Sequence, residues 1–196
     1  MRGIFIVLYG LDHVQKSTLA KSLVNYLKNI GKGAEYVKYP VYTIAPSGFY
    51  IDKVLRAQMK MSEDEFQVWF TINRYQYQPL LKKMLDEGKI VIAEDYIGTG
   101  MAWGGCKGTE SEWVNSLNSY LIQADLNILL DTDRFRGSEL QHVHENQDIV
   151  EKVRERFLEI AKEKEWIVID AKGDTQKLFY NVLSVIKEKV GNSGTQ

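Results

Sequence analysis

An octapeptide near the amino terminus has the residue types that bind polyphosphate. Residues 10–17 read G-L-D-H-V-Q-K-S, so Gly10, Lys16 and Ser17 fit the spacing G-x-x-x-x-G-K-[ST]. In such a loop, backbone N–H groups surround the phosphate oxygens, the lysine neutralises their charge and the hydroxyl binds Mg²⁺. We therefore predict that ATP binds to Gly10, Leu11, Asp12, His13, Val14, Gln15, Lys16, Ser17 and Thr18.

Gln15 occupies the second glycine position of this motif. Glycine there lets the backbone approach the phosphates without a Cβ and permits a positive φ. Glutamine should either strain the loop or crowd the anion. We expect the loop to form, with weaker nucleotide affinity.

The elements that must position this loop alternate between strands and helices. Short apolar runs at 4–9, 35–39, 90–93, 126–130 and 166–170 predict five buried strands. Helical spacing and caps predict helices over 17–30, 48–57, 62–88, 110–123, 149–164 and from Asp174 onward, with Pro79 kinking or splitting the third and 98–105 forming a turn. This alternation predicts an α/β fold of the P-loop NTPase type, with a doubly wound five-stranded parallel sheet and helices on both faces.

Length and composition favour one domain and a small ligand. The chain has 196 residues, and we expect residues 1–190 to form a single domain and residues 191–196 a disordered tail. A formal net charge of −1 argues against a general binder of nucleic acid or membrane surfaces. The apolar run at the amino terminus is too short to cross a bilayer, and Cys106 has no disulfide partner, so a cytoplasmic location is expected.

Five segments in order resemble the thymidylate kinase family of P-loop nucleoside monophosphate kinases. They are YGLDHVQKST, KYPVYTIAPSG, WFTINRYQYQP, VIAEDYIGTGMAWGG and RERFLEIAKEKEWIVIDA, and the resemblance extends from Phe5 to about Lys187. It implies transfer of the ATP γ-phosphate to dTMP, giving dTDP for dTTP synthesis, with Mg²⁺ as cofactor and a homodimer as the assembly.

The resemblance also assigns roles to individual residues. Phe70 would stack on thymine, and Arg74, four residues later on the same helix face, would bind the base edge. Trp103 would lie near the 2′ position of the sugar. The implied acceptor-binding residues are Tyr39, Pro40, Phe70, Asn73, Arg74, Thr99, Gly100 and Trp103, and the implied catalytic residues are Asp12, Lys16, Glu94, Arg134 and Arg136.

Two further departures from the family pattern concern its phosphate-binding arginines. The family has an arginine after the aromatic–Pro pair, whereas no arginine occurs between Pro40 and Gly48, which leaves Lys38 or Arg56 as candidate replacements. Asp95 stands where the family has another arginine. Either Ser17, Glu94 and Asp95 hold Mg²⁺ together, or Asp95 points away and only Glu94 matters.

The segment after the fourth predicted strand is a candidate lid. We expect residues 132–148 to cover the phosphates and to supply charge through Arg134 and Arg136. His142 and His144 lack a cysteine or third histidine, so we expect a loop there and no zinc site. Because cationic partners are missing, two alternatives stay open: a nucleotide-binding protein with little turnover, or a kinase for another nucleoside monophosphate.

Overall fold

A computed structural model describes residues 2–133 and 147–192, and its centre is a five-stranded parallel sheet. The strands are β1 (Ile4–Tyr9), β2 (Ala34–Lys38), β3 (Ile90–Glu94), β4 (Leu126–Asp131) and β5 (Ile167–Asp170). Their spatial order is β2-β3-β1-β4-β5. The chain crosses from one side of β1 to the other between β3 and β4, so the carboxyl end of β1 is the point where ligands are expected to bind.

Helices cover both faces of this sheet, which confirms the predicted fold class. They are α1 (Lys16–Asn29), α2 (Ser47–Leu55), α3 (Glu63–Asp86), α4 (Ile97–Cys106), α5 (Ser111–Leu117), α6 (Gln147–Glu163) and α7 (Thr175–Asn192). Because side chains alternate along a strand, Phe5, Val7 and Tyr9 pack into the core on one face of the sheet, with residues of α3 to α6. Ile4, Ile6 and Leu8 face the opposite core, with α1 and α7.

Helix α3 carries three of the predicted acceptor residues, Phe70, Asn73 and Arg74, and has well-defined ends. The Ser62 side chain accepts a hydrogen bond from the Glu65 N–H at 3.2 Å, as the predicted cap requires. At the other end, Gly88 has a φ of 78° and the Lys89 N–H donates to the Met84 carbonyl, which closes the last turn. The helix continues through Pro79 without interruption, so the predicted split does not occur.

The glycine-rich segment 98–105 is helical, and its prediction as a turn was wrong. These residues belong to α4. A Cβ at Gly98 would lie 2.2 Å from the Trp166 ring, and one at Gly104 would lie 3.2 Å from the Gln67 amide. These two glycines therefore allow close packing of α4 against its neighbours. The predicted helix 110–123 was too long, since α5 ends at Leu117.

Some predictions lie at or beyond the edge of the described residues. The lid arginines Arg134 and Arg136, and the histidines at 142 and 144, lie outside them. Helix α7 includes Gly191 and Asn192, which were predicted to belong to the tail, and residues 193–196 lie outside the described residues. Within the described part of the chain, none of the helices has both the length and the apolar character needed to cross a membrane.

Candidate functional site

The predicted phosphate and acceptor residues meet at the carboxyl edge of β1, β2 and β3. The loop 10–17 follows β1, Tyr39 follows β2, and Glu94 ends β3. Backbone hydrogen bonds fix these segments to one another: the Tyr39 N–H donates to the Glu94 carbonyl at 3.0 Å and the Asp95 N–H to the Leu8 carbonyl at 3.1 Å. Their side chains therefore extend from one rigid edge.

The loop keeps the shape of a phosphate-binding turn despite Gln15. Gly10 has a φ of 144°, and a Cβ there would lie 2.6 Å from the Leu130 carbonyl oxygen. Gln15 adopts φ 51° and ψ 33°, a left-handed conformation that glycine accepts more easily. The Gln15 side chain is exposed. Leu11 and Val14 pack into the core, so these two residues can offer a ligand only their backbone.

Lys16 begins α1 and points its ammonium back into the loop. The side chain is buried, at 2% exposure, and Nζ donates to the carbonyls of Gly10 at 2.7 Å and Leu11 at 3.0 Å. It also forms ion pairs with Asp12 Oδ1 at 3.7 Å and Asp95 Oδ1 at 4.0 Å. The ammonium thus lies at the centre of the loop, where the motif places the anchor of a polyphosphate.

Glu94 accepts hydrogen bonds from three donors. They are the hydroxyls of Ser17 at 2.5 Å and Tyr36 at 2.6 Å, and the ammonium of Lys38 at 3.0 Å. Burial raises the pKa of Glu94, but these three hydrogen bonds outweigh burial and hold its pKa below the usual range. Lys38 is thus committed to Glu94, and Arg56, the other candidate replacement, is exposed and pairs with Asp52 at 2.8 Å.

Asp95 faces Lys16, so the alternative in which it points away is wrong. Burial raises the pKa of Asp95 to about 6; Lys16 opposes this rise, whereas Asp12 and Glu94 add to it. Thr99, predicted to touch the acceptor, donates its hydroxyl to Asp95 Oδ1 at 2.9 Å. Thr99 therefore positions Asp95 in this structure.

The donor set at this edge fits a magnesium ion that also binds phosphate. Among residues 2–133 and 147–192, no cluster of three or more His, Cys, Asp or Glu side chains forms a metal cage. Mg²⁺ commonly uses one or two protein oxygens together with phosphates and water. The Ser17 hydroxyl and the Glu94 carboxylate supply such oxygens side by side.

Arg74, which is predicted to bind the acceptor base, is buried, at 4% exposure. Its Nη1 donates to Asn118 Oδ1 at 3.0 Å and its Nη2 to the Tyr96 carbonyl at 2.9 Å, so both partners are neutral. Its Nε has no partner among the described residues. Burial lowers the pKa of Arg74. Phe70, one turn earlier, is partly exposed, and its ring centroid is 4.4 Å from that of Phe66.

The other predicted acceptor residues are held to different extents by contacts within the protein. Asn73 is fully buried, accepts from the Val41 N–H at 2.7 Å, and donates to the Val41 carbonyl and the Ser47 hydroxyl, each at 2.9 Å. Its amide is used by the loop that begins at Pro40, so a direct substrate contact is not supported. Trp103 is half-buried against the core, and the buried Tyr39 hydroxyl has no described partner.

Three residues of this site were missed in the sequence. Tyr36 binds Glu94, and Asn118 binds Arg74. Gln67 shares a face of α3 with Phe70 and Arg74, as described below. Tyr36 could not have been found from the sequence, because its contact with Glu94 depends on the register that pairs β2 with β3. Gln67 could have been found, because it precedes Phe70 by three residues on the same helix.

The comparison with known proteins agrees with this geometry. The family model described as Thymidylate kinase matches residues 8–181. The chain is 30% identical to a probable thymidylate kinase of Caldivirga maquilingensis, over 95% of this chain and 94% of the relative. The chain belongs to the thymidylate kinase family.

Further members of the family resemble the chain in sequence and in structure. The thymidylate kinase of Schizosaccharomyces pombe is 28% identical over 94% of this chain and 92% of its own length. The solved thymidylate kinase of Candida albicans superposes with a TM-score of 0.76 at 23% identity, covering 98% of this chain and 93% of that chain. That of Ehrlichia chaffeensis gives 0.79 at 21% identity, covering 95% and 100%. These last two comparisons establish the shared fold.

Proposed function

We propose that this chain is an active kinase that transfers the γ-phosphate of ATP to dTMP and forms dTDP, a step of dTTP synthesis. The observation that carries the proposal is Arg74: a buried guanidinium with neutral partners and an unused Nε, one helical turn from a partly exposed Phe70. A planar donor beside an aromatic ring suits the carbonyl edge and the face of a pyrimidine.

The loop at the end of β1 supplies the donor half of the site. Phosphoryl transfer depends mainly on positioning and on neutralising charge. In this proposal the Lys16 ammonium leaves the carbonyls of Gly10 and Leu11 and binds phosphate oxygens. The exchange is favourable because an ammonium binds a charged phosphate oxygen more strongly than a neutral carbonyl. Ser17 and Glu94 would hold Mg²⁺, which supplies positive charge to the phosphates.

The acceptor half is formed by α3, α4 and the loop after β2. Phe70 and Arg74 hold the base, Trp103 borders the sugar, and Asp12 lies between the two halves beside Lys16. Asn73 keeps its place in the proposal as a positioning residue, because it fixes the loop that follows Pro40.

Several parts of the proposal extend beyond the described residues. We propose that Arg134 and Arg136 lie in a lid over the phosphates and replace part of the missing arginine charge. We also propose that the chain forms a single domain, assembles as a homodimer and is located in the cytoplasm. The lone Cys106 favours a reducing compartment, because it has no second cysteine with which to form an internal disulfide. Sedimentation of the purified protein would test the dimer.

ADP production from ATP and Mg²⁺ tests the activity. We expect dTMP to be the preferred acceptor in a panel with dUMP, dCMP and AMP. Lys16→Ala should lower the rate by a factor of about 10³ or more, since a buried cation in such a site stabilises the transition state by roughly 4 kcal/mol. Full activity of that variant, or no dTMP-dependent ADP in the parent protein, would refute the proposal.

A further inference from the structure

Gln67 has an unused hydrogen-bond acceptor inside the acceptor site. The residue is 1% exposed, and its Oε1 has no hydrogen-bond partner among the described residues. A buried amide oxygen without a partner costs free energy unless something else satisfies it. The question is which group Oε1 is placed to meet.

Glu63 fixes the orientation of the Gln67 amide. Gln67 Nε2 donates to Glu63 Oε1 at 2.7 Å, one helical turn away, and Glu63 is itself paired with Lys107 at 3.5 Å. A carboxylate accepts hydrogen bonds and cannot donate them, so the amide cannot rotate by 180° without losing this bond. Nε2 therefore stays on Glu63, and Oε1 is the amide atom that lies toward Gly100.

Gln67 Oε1 and the Arg74 guanidinium both approach Gly100 of α4. Gln67, Phe70 and Arg74 are spaced i, i+3 and i+7, so they lie on one face of α3. An added Cβ at Gly100 would be 2.7 Å from Gln67 Oε1 and 3.3 Å from Arg74 Nη2. An acceptor and a donor thus flank the same point of α4, and only glycine at position 100 leaves room for both.

We infer that Gln67 is a specificity-determining residue that reads the acceptor base, an inference that rests on the proposed function. Arg74 donates to a base carbonyl, and Gln67 Oε1 accepts from the neighbouring ring N–H. Thymine and uracil present that pair, a carbonyl oxygen next to an N–H. Cytosine presents the reverse, an amino donor next to a bare ring nitrogen, and would meet donor with donor and acceptor with acceptor.

The test measures kcat/KM of the parent protein and of Gln67→Met with dTMP, dUMP and dCMP. Methionine keeps the length of the side chain but removes the hydrogen-bond acceptor. We expect kcat/KM to fall roughly tenfold for both dTMP and dUMP and to change by less than about twofold for dCMP. Gln76→Met is the matched control, because Gln76 is on the same helix and also carries an unpartnered Oε1, with its Nε2 bound to Ala45. The control should leave the dTMP-to-dCMP ratio unchanged.

A second variant alters the ratio without removing Gln67. Glu63→Gln places at position 63 an amide that can donate as well as accept, so it no longer fixes the Gln67 amide. We expect the dTMP-to-dCMP ratio of kcat/KM to fall in this variant too. Thermal unfolding of each variant shows whether it is folded.

Binding titrations separate the failure of this inference from the failure of the proposed function. If the parent protein binds dTMP without turning it over, the activity is refuted, and the same variants are compared by their Kd for dTMP and dCMP. Equal losses for both nucleotides in Gln67→Met, no loss for either, or no dTMP binding by the parent protein would overturn the role of Gln67.

Discussion

Replacing Gln15 by glycine tests how the phosphate loop tolerates a side chain at a glycine position. Gln15 has φ 51° and ψ 33°. A left-handed conformation costs a residue with a Cβ roughly 1–2 kcal/mol, while glycine loses roughly 0.4–1 kcal/mol through the freedom of the unfolded chain. We therefore expect Gln15→Gly to raise the free energy of unfolding by about 1 kcal/mol, or roughly 2–4 °C in Tm for a chain of this length.

Stability and ATP affinity report different parts of this effect. We expect ATP binding to leave the left-handed turn at Gln15 unchanged, so the backbone strain contributes equally to the free and bound states and affects stability alone. Only the removal of the Cβ and of the side chain beyond it can change the Kd for ATP. We expect Gln15→Gly to tighten ATP binding severalfold, and Gln15→Ala, which keeps the Cβ, to tighten it less.

Glu165 offers a matched control for the backbone part. It is exposed, has φ 53° and lies just before β5, outside the phosphate loop. Glu165→Gly should give a similar gain in unfolding free energy with no change in ATP affinity. Denaturant unfolding and calorimetric titration with ATP and Mg²⁺ measure both quantities. Unchanged or weaker ATP binding by Gln15→Gly would refute the crowding argument, and lower stability would refute the strain argument.

Three further substitutions test other parts of the structure. In protein free of Mg²⁺, the pKa of Asp95 is about 6 in the folded state against 3.8 for the free group, so the folded state binds more protons. The free energy of unfolding should therefore decrease as pH rises from about 4 to about 6, by at most about 3 kcal/mol. Denaturant unfolding of Asp95→Asn at several pH values should lack this decrease, and the same slope in both proteins would contradict the assignment. Asn73→Leu should lower the free energy of unfolding by roughly 2–4 kcal/mol and raise KM for dTMP, because Val41 and Ser47 lose their hydrogen-bond partner. An unchanged KM would show that the loop after Pro40 does not contact dTMP. Gly98→Ala should destabilise by roughly 2 kcal/mol or more, because its Cβ would lie 2.2 Å from the Trp166 ring, and an unchanged Tm would show that α4 can shift at little cost.

The sheet was predictable from the sequence, whereas α4 was not. Buried parallel strands are continuous apolar runs, and β1 and β3 carry that signal in every residue but Glu94. Segment 98–105 contains four glycines, which locally favour a turn. Glycine also allows helices to approach closely, and this use depends on Trp166 and Gln67, which are distant in sequence. A local pattern cannot distinguish the two uses.

The candidate site was predictable where its chemistry is encoded by local spacing. Lys16 and Ser17 follow from the loop motif, whereas the roles of Phe70 and Arg74 were implied by the family resemblance, and their spacing gave only a shared helix face. The partners of those residues come from other elements: Asn118 binds Arg74 from beyond the end of α5, and Tyr36 reaches Glu94 from a neighbouring strand. Such pairs can be predicted from the sequence only when the order of the strands in the sheet is already known.

The charges around Lys16 set a condition on the proposed phosphate binding. Three carboxylates, those of Asp12, Glu94 and Asp95, share the two ammonium groups of Lys16 and Lys38. This cluster is short of positive charge, and Asp12 and Glu94 add to the rise in the pKa of Asp95 that burial causes. A polyphosphate adds further negative charge, so binding must bring cations with it. We therefore expect ATP affinity to depend steeply on Mg²⁺, and neutralising Asp95 by Asp95→Asn should reduce that dependence. If the titration midpoint for Mg²⁺ in the presence of ATP is the same in both proteins, Asp95 does not contribute to the charge that ATP meets.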